Sequence, residues 1–411
     1  MHVLFVLPRF FPYRGGYEDS RLAIAKYLVN NGHQATVFTT VADDLESLWR
    51  PGFKTFPPGQ FSLGGITIRR FPVSYSPIER YSSRILGLAP GWRWKAQYWR
   101  PSFHVPGLDR ALRELEADVI HIGPLPHNGM MYTGLHAGEL RKIPVVATPC
   151  PHFGDPEIDK EYLAPHQAQL LKCCDKVLCM TATERDKLQQ LGITPSRMAI
   201  APAGINISSV SGGNSDFLRH KYGVTGPVVL HLGMKAFDKG SQTVVEAMKR
   251  LWSRSSEAWL VMAGPSISAF DSYLAEAAGN CSRLLNLPAY GDQERRDLLA
   301  SATVVVQPSR VESLGLITLE AWANRKPIIA ADIPVSREII ASDSGVLVPF
   351  GDADRLAAAI DGLLHDSDAR QHMGEAGYAK AQQYDSQIVC RRACEEIEQA
   401  VAGANGSRNA R

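Results

Sequence analysis

VESLGLITLEAWANRKP, residues 311–327, follows the apolar run TVVVQPS and carries two glutamates, Glu312 and Glu320, eight residues apart. The apolar run reads as a strand leaving a sheet, and Gly315 to Ala323 reads as the helix that follows it. Eight helical residues rise roughly 12 Å, and eight steps bring the second glutamate to within about 80° of the first. That separation exceeds the roughly 5–9.5 Å between the carboxylates of a glycosidase, so two-carboxylate hydrolysis is disfavoured. Gly315 allows close backbone approach, and the first N–H groups of the helix form an anion site. A diphosphate at the helix mouth, with each glutamate holding hydroxyls at a different end of one long ligand, fits this pattern. For an isolated pair of glutamates, ordinary helix surface remains the alternative.

Working outward, short β-rich runs alternate with amphipathic helical segments almost throughout. VLFVL (3–7), ATVFT (35–39), DVIHI (118–122), PVVAT (144–148) and KVLCM (176–180) read as strands of the first half. PVVLHLG, AWLVMAG, TVVVQP, KPIIAA and GVLVP repeat the scheme in the second. Such alternation implies α/β doubly wound parallel sheets, and APAGINISSVSGGNSD (201–216) reads as the linker between two Rossmann-like domains facing a central cleft. The expected domains are 1–205 and 206–384, with a C-terminal helix at about 385–403 packing back on the first and a disordered tail beyond it. Ligands of such sheets bind beyond the carboxyl ends of the strands, where candidate residues are therefore sought.

A chain of 411 residues suits two or three domains, and a net charge of +2 does not suggest a nucleic-acid binder. No apolar run approaches the roughly 20 residues that span a bilayer, and MHVLFVLPRF reads as a first strand rather than a signal peptide. Seven cysteines without a C-x-x-C spacing point to reduced thiols and a cytoplasmic protein. Residues 80–108 break the pattern: Arg80, Arg84, Arg93, Lys95 and Arg100 interleave with Trp92, Trp94, Tyr98 and Trp99, and no acid occurs among them. That composition suits peripheral contact with a membrane or an acceptor; packing on the first domain is the plainer alternative.

HLGMKAFDKG (231–240) ends the first strand of the second domain. A P-loop needs lysine directly after its second glycine, whereas Lys239 precedes Gly240 here, so NTPase chemistry is not indicated. Lys235 and Lys239 are instead two cations suited to a diphosphate. Gly15 and Gly16 follow strand one without a G-x-G-x-x-G, against a nicotinamide reading. His152 follows PVVAT, and His121 ends DVIHI, where core and cleft are both open to it. Asp352 and Asp354 form a D-x-D that reads as a helix cap, with no metal implied.

In order along the chain, the Gly15–Gly16 loop, NNGHQATVFTT, ADVIH, CCDKVLCMTATERDKL, AGIN, LGMKAFDKG, QPSRVESLGLITLEAWANRKP and GVLVPFGD resemble the family-4 retaining glycosyltransferases, of GT-B architecture. The resemblance implies that Glu320 binds the nucleotide ribose and that Glu312 and His152 lie at the donor sugar. It implies that Lys239 faces the diphosphate, with Lys235 the substitute for the family's usual arginine, whose place falls at Met234. Gly15, Gly16, Gly233, Tyr290, Ser313, Leu314, Gly315 and Leu316 would complete the donor site. The chain departs from the family pattern at Met234, Ala203 and Arg325, which bears on donor identity. The implied activity is transfer of a sugar from a nucleotide-diphosphate-sugar to a glycan, lipid-linked or small-molecule acceptor, without cofactor or metal. A sugar-nucleotide 2-epimerase and an inactive nucleotide-sugar-binding protein are the rival readings.

Overall fold

The computed structural model describes residues 1–75, 103–279 and 281–409. Most of the basic and aromatic segment, residues 80–102, lies outside them. The described residues divide into two compact units. One comprises Met1–Pro151, Asp159–Ala203 and the chain from Val389 onward; the other comprises His152–Ile158 and Gly204–Ile388.

In the first unit, β1 (His2–Val6), β2 (Gln34–Thr40), β3 (Gly59–Leu63), β4 (Ile66–Phe71), β5 (Val119–Ile122), β6 (Val145–Ala147), β7 (Lys176–Cys179) and β8 (Met198–Ile200) form one sheet. Its order is β3-β4-β2-β1-β5-β6-β7-β8, parallel except for the β3–β4 hairpin. β1 is apolar at every position after His2 because both faces of the sheet are covered. Leu4 and Val6 enter one core with Ile120 and Leu135, and Val3 and Phe5 enter another with Ile24 and Leu28. The latter also takes Cys390, Ala393, Cys394 and Ile397 from the C-terminal helix Ser386–Asn409. That helix runs past its expected end near 403, into the tail expected to be disordered. All seven cysteines are free.

In the second unit, β9 (Val228–Leu232), β10 (Trp259–Ala263), β11 (Leu284–Leu287), β12 (Val304–Gln307), β13 (Ile328–Ala331) and β14 (Gly345–Val348) form an all-parallel sheet. Its order is β11-β10-β9-β12-β13-β14. The chain progresses outward from β9 in one direction and, after crossing over, outward from β12 in the other. The topological switch point thus falls between β9 and β12, and a ligand crevice is expected at their carboxyl ends. The helix Leu316–Ala323 after β12 is anchored by Trp322, which is fully buried and donates its indole N–H to the Ser344 carbonyl at 2.8 Å. A Cβ on Gly377 would meet that indole at 2.1 Å, so the neighbouring helix needs glycine there. Truncating such an anchor costs about 3–5 kcal/mol.

The strands expected from the sequence are present. The β3–β4 hairpin and the short strands β8 and β11 were not anticipated. The hairpin turns on Gly64–Gly65, a recognisable turn dipeptide; β8 and β11, with three and four residues, carry too little pattern to be read alone.

Candidate functional site

The loop between β9 and the helix α1 (Ser241–Ser253) is fixed before its side chains are considered. Gly233 N–H donates to the Ala263 carbonyl and Lys235 N–H to the Pro265 carbonyl, both at 2.8 Å, tying the loop to the end of β10. Gly240 caps the helix at φ +70°, and a Cβ there would lie 2.1 Å from the Pro308 carbonyl oxygen, so only glycine lets this loop close on the β12 loop. Beneath it, His231 is buried, with Nδ1 3.1 Å from the Val306 carbonyl and Nε2 2.8 Å from Ser241 Oγ. The carbonyl can only accept, which makes Nδ1 the donor and Nε2 the acceptor of the Ser241 hydroxyl proton. Ser241 Oγ in turn accepts from Ala236 N–H at 3.1 Å, so the neutral imidazole holds the loop. Burial, with the Val306 hydrogen bond opposing it, lowers its pKa to about 4.

On this base the structure brings together three expected residues. Lys239 donates to Glu312 Oε1 at 3.0 Å and to the Val311 carbonyl at 3.5 Å. Gln307, the last residue of β12, donates to the same carboxylate oxygen at 3.1 Å, and Thr318 donates to Gln307 at 3.3 Å. The main chain of Glu312 exchanges two 3.0 Å hydrogen bonds with Phe153, which is fully buried. That pairing places His152, the residue before Phe153, within the field of Lys239 and Glu312. Burial would raise the Glu312 carboxyl, but Lys239 and His152 outweigh it and hold its pKa below the ordinary value. Burial lowers Lys239, yet Glu312 overrides it and keeps the ammonium firmly protonated. His152 is lowered by burial and then by Lys239, and so is neutral at pH 7.

Glu312 lies ahead of the helix that follows β12, in extended backbone paired with Phe153. The helical rise expected between the two glutamates therefore does not describe their separation. The helix itself begins as expected: Gly315 is its N-cap at φ +83°, a left-handed conformation that favours glycine, and Leu316 is its first residue. Glu320, one turn further in, is 1% exposed, and both its oxygens face the Arg295 guanidinium of the helix α2 (Asp292–Ser301). The Nε–Oε2 distance is 2.9 Å. Tyr290 is half-buried; burial raises its phenol and the nearby Arg295 opposes the shift.

Lys235 is engaged elsewhere than Lys239. Its side chain is buried, and its ammonium donates to Asn286 Oδ1 at 2.5 Å and to the Leu287 carbonyl at 3.1 Å, across the end of β11. Burial lowers its pKa. Met234 and Arg325 are exposed; the Arg325 guanidinium stacks 3.8 Å over Tyr378 and pairs with Glu375. Asp352 caps the helix Ala353–His365 by accepting from Arg355 N–H at 2.9 Å, as its D-x-D setting suggested. Among the described residues no three His, Cys, Asp or Glu side chains gather as a metal site would require. A cavity of about 280 Å³, lined by residues including Gly212, Asn324, Lys326 and Tyr378, lies at the amino edge of the sheet, remote from this chemistry.

In the first unit Gly15 caps the helix Gly16–Asn30, and a Cβ there would lie 2.5 Å from the Glu18 carboxylate. His121 belongs to the core: it is fully buried between Arg21, at 3.2 Å, and Thr148, at 2.9 Å. Sequence reasoning missed Gln307, Arg295 and Asn286. Gln307 had a signal, a polar residue ending an apolar strand. Arg295, inside the polar helix DQERRD, had none.

Two family models match the chain. Residues 15–204 match the Glycosyl transferase 4-like domain, and residues 214–380 match Glycosyl transferases group 1. The phosphatidyl-myo-inositol mannosyltransferase of Mycolicibacterium smegmatis is 25% identical over 399 residues, 95% of this chain and 91% of that protein. The alpha-D-kanosaminyltransferase of Streptomyces kanamyceticus is 28% identical over 206 residues, 48% of this chain and only 53% of that protein. The chain thus spans about half the length of that relative. Anabaena HepE in complex with UDP-glucose shares the fold at 19% identity, with a TM-score of 0.73 over 97% of this chain and 100% of HepE. The two parallel α/β sheets are those of the GT-B glycosyltransferases, and both halves of the chain match glycosyltransferase families.

Proposed function

From a chain built of a glycosyl transferase 4-like domain and a group 1 glycosyltransferase domain, we propose a retaining glycosyltransferase that moves a sugar from a nucleotide-diphosphate donor to an acceptor hydroxyl. The observation that carries this reading is the cluster of Lys239, Glu312 and His152 at the carboxyl ends of β9 and β12, beside the helix mouth at Gly315. The chemical problem is charge, because the diphosphate leaves as an anion while the sugar becomes cationic. An ammonium has three hydrogens. Lys239 spends two on Glu312 and Val311, and the third is assigned to a phosphate oxygen. The helix N-terminus supplies oriented N–H groups for the same charge without a metal. Lys235, held by Asn286, is given a lesser part.

Glu312, kept ionised by Lys239, and neutral His152 are assigned to the donor sugar. Glu320 is assigned to the ribose hydroxyls, with Gly233, Tyr290, Ser313, Leu314 and Leu316 lining the donor. Retention follows from front-face displacement, in which the leaving phosphate takes the acceptor proton. The match to a phosphatidyl-myo-inositol mannosyltransferase over nearly its whole length favours a lipid-linked or inositol-type acceptor. No helix among the described residues is long and apolar enough to cross a membrane. As part of this proposal the protein is assigned to the cytoplasm, meeting a lipid acceptor peripherally. The matches favour transfer over 2-epimerisation, which no observation supports.

The test is thermal melting with UDP, GDP, ADP and dTDP, with and without EDTA. A nucleotide at 100 times its Kd adds about 2.7 kcal/mol, and each kcal/mol shifts a domain of this size by ~2–4 °C. One nucleotide standing out, with EDTA making no difference, is expected, and UDP is tried first because HepE was solved with UDP-glucose. No shift with any nucleotide removes the donor site from the reading. Sugars of the matching nucleotide are then incubated with candidate acceptors: free nucleotide plus glycoside supports transfer, and an epimeric sugar nucleotide refutes it.

A further inference from the structure

Glu320 cannot meet a ribose as it stands. Its carboxylate is 1% exposed, and Arg295 covers both oxygens, Nε on Oε2 at 2.9 Å and the terminal nitrogen on Oε1. Such a fork matches a carboxylate in plane and is among the strongest side-chain pairings. The vicinal hydroxyls of a ribose would donate to these same two oxygens. Fork and diol compete for one acceptor pair, and one must leave. Arg295 is the better placed of the two to move: its side chain retains 22% exposure against 1% for Glu320, so its guanidinium can exchange the carboxylate for water while the carboxylate cannot. Tyr290, half-buried, lies close enough to Arg295 to feel its charge.

We propose that Arg295 is the residue that sets nucleotide affinity in this chain, as a competitor of the donor: the ribose diol enters by replacing the Arg295 fork on Glu320. This rests on the assignment of Glu320 to the ribose. The fork keeps a buried carboxylate paired while the site is empty, avoiding the cost of an uncompensated interior charge. The same pairing taxes every ligand that takes the carboxylate, whereas a ligand that binds with the fork in place is not taxed and gains little from its removal. The selectivity it gives is chemical. A ligand with both ribose hydroxyls returns two donors to the carboxylate and repays the lost fork, whereas a 2′-deoxynucleotide returns one and does not.

The experiment is titration calorimetry of the full chain with UDP and with 2′-deoxy-UDP, or with the nucleotide pair that the melting screen selects. Wild type, Arg295→Met, Arg295→Lys and Glu320→Ala are compared. Removing the competitor is expected to tighten UDP binding roughly 10-fold in Arg295→Met, the equivalent of about 1.4 kcal/mol. The gain for 2′-deoxy-UDP is expected to be threefold or less. Arg295→Lys, which keeps the charge without the fork, falls between and guards against a folding defect in the methionine variant. Glu320→Ala weakens UDP binding and removes any benefit of a second change at Arg295. If Glu320→Ala weakens binding while Arg295→Met leaves it unchanged or weakens it, the competitor role is overturned and the ribose assignment stands. If Glu320→Ala has no effect on binding, the ribose assignment fails and the competitor role falls with it.

Discussion

Glu312 and Glu320 stand on either side of one helix mouth, and each faces a cation, yet they are held in opposite ways. Glu312 is gripped from several sides: Lys239 and Gln307 share one of its oxygens, and its main chain is paired with Phe153. Its side chain keeps 15% exposure, and Lys239 keeps 23%. Glu320 has Arg295 on both oxygens and is sealed at 1%. The difference teaches which pair can act without rearranging. Lys239 satisfies its glutamate with one hydrogen and has another for a ligand, so the Glu312 pair is ready as built. Arg295 spends its fork on Glu320, so that pair must open first.

The largest expected consequence is at the open pair. Lys239→Met should lower kcat roughly 10²–10³-fold, the loss typical of removing one donor from developing transition-state charge. It is measured at saturating donor, so that any binding defect is set aside. A fall of less than tenfold would put the leaving-group charge on other donors and remove the distinction between an active and a sealed pair.

The open pair also sits on a pH-sensitive base, which the sealed pair lacks. His231 is neutral in the fold, with its pKa pushed down to about 4 from an unfolded value of 6.5. Above pH 6.5 it is neutral in both states and contributes no pH dependence. Between 6.5 and 4 the unfolded chain takes up a proton that the folded chain refuses, so stability falls as pH is lowered and levels off below 4. A displacement of that size corresponds to about 3 kcal/mol across the window. Denaturant unfolding followed at pH 7, 5.5 and 4 should show a fall shallower by about that amount in His231→Gln. Equal falls in the two proteins would mean that the loop carrying Lys239 does not rest on a neutral imidazole.

Much of this was legible in the sequence, and the boundary of legibility is physical. The parallel strands announced themselves because burial on both faces favours continuous apolar runs, as in Val304, Val305 and Val306. Gly240 and Gly315 marked tight strand–helix passages that only glycine makes cheaply. Periodicity could not show that Glu312 stops short of the helix, because Ser309 to Leu314 has no pattern of its own and takes its extended form from Phe153, some 160 residues earlier. Nor could it show the partner of Glu320. Arg295 looks like a solvated helix residue until the fold lays its helix beside the next one. Spacing along the chain reads backbone; partners brought together by tertiary packing leave no trace in it.

Lys235 draws the comparison finest, because it shares a loop with Lys239 and resembles Arg295 in being already occupied. Its ammonium is buried and bonded to Asn286 and the Leu287 carbonyl. Lys235→Met keeps most of the side-chain volume but leaves those two acceptors without their donor, a cost of about 1–3 kcal/mol. The expected result is a lower melting temperature with kcat reduced only about threefold, since the cation on the diphosphate is Lys239. The two effects are separated by measuring kcat well below the melting temperature of the variant. A loss of kcat as large as that of Lys239→Met would mean that Lys235 leaves Asn286 when donor binds. Being engaged in the empty protein would then no longer distinguish a structural cation from a catalytic one, and Arg295 would have to be judged by the same standard.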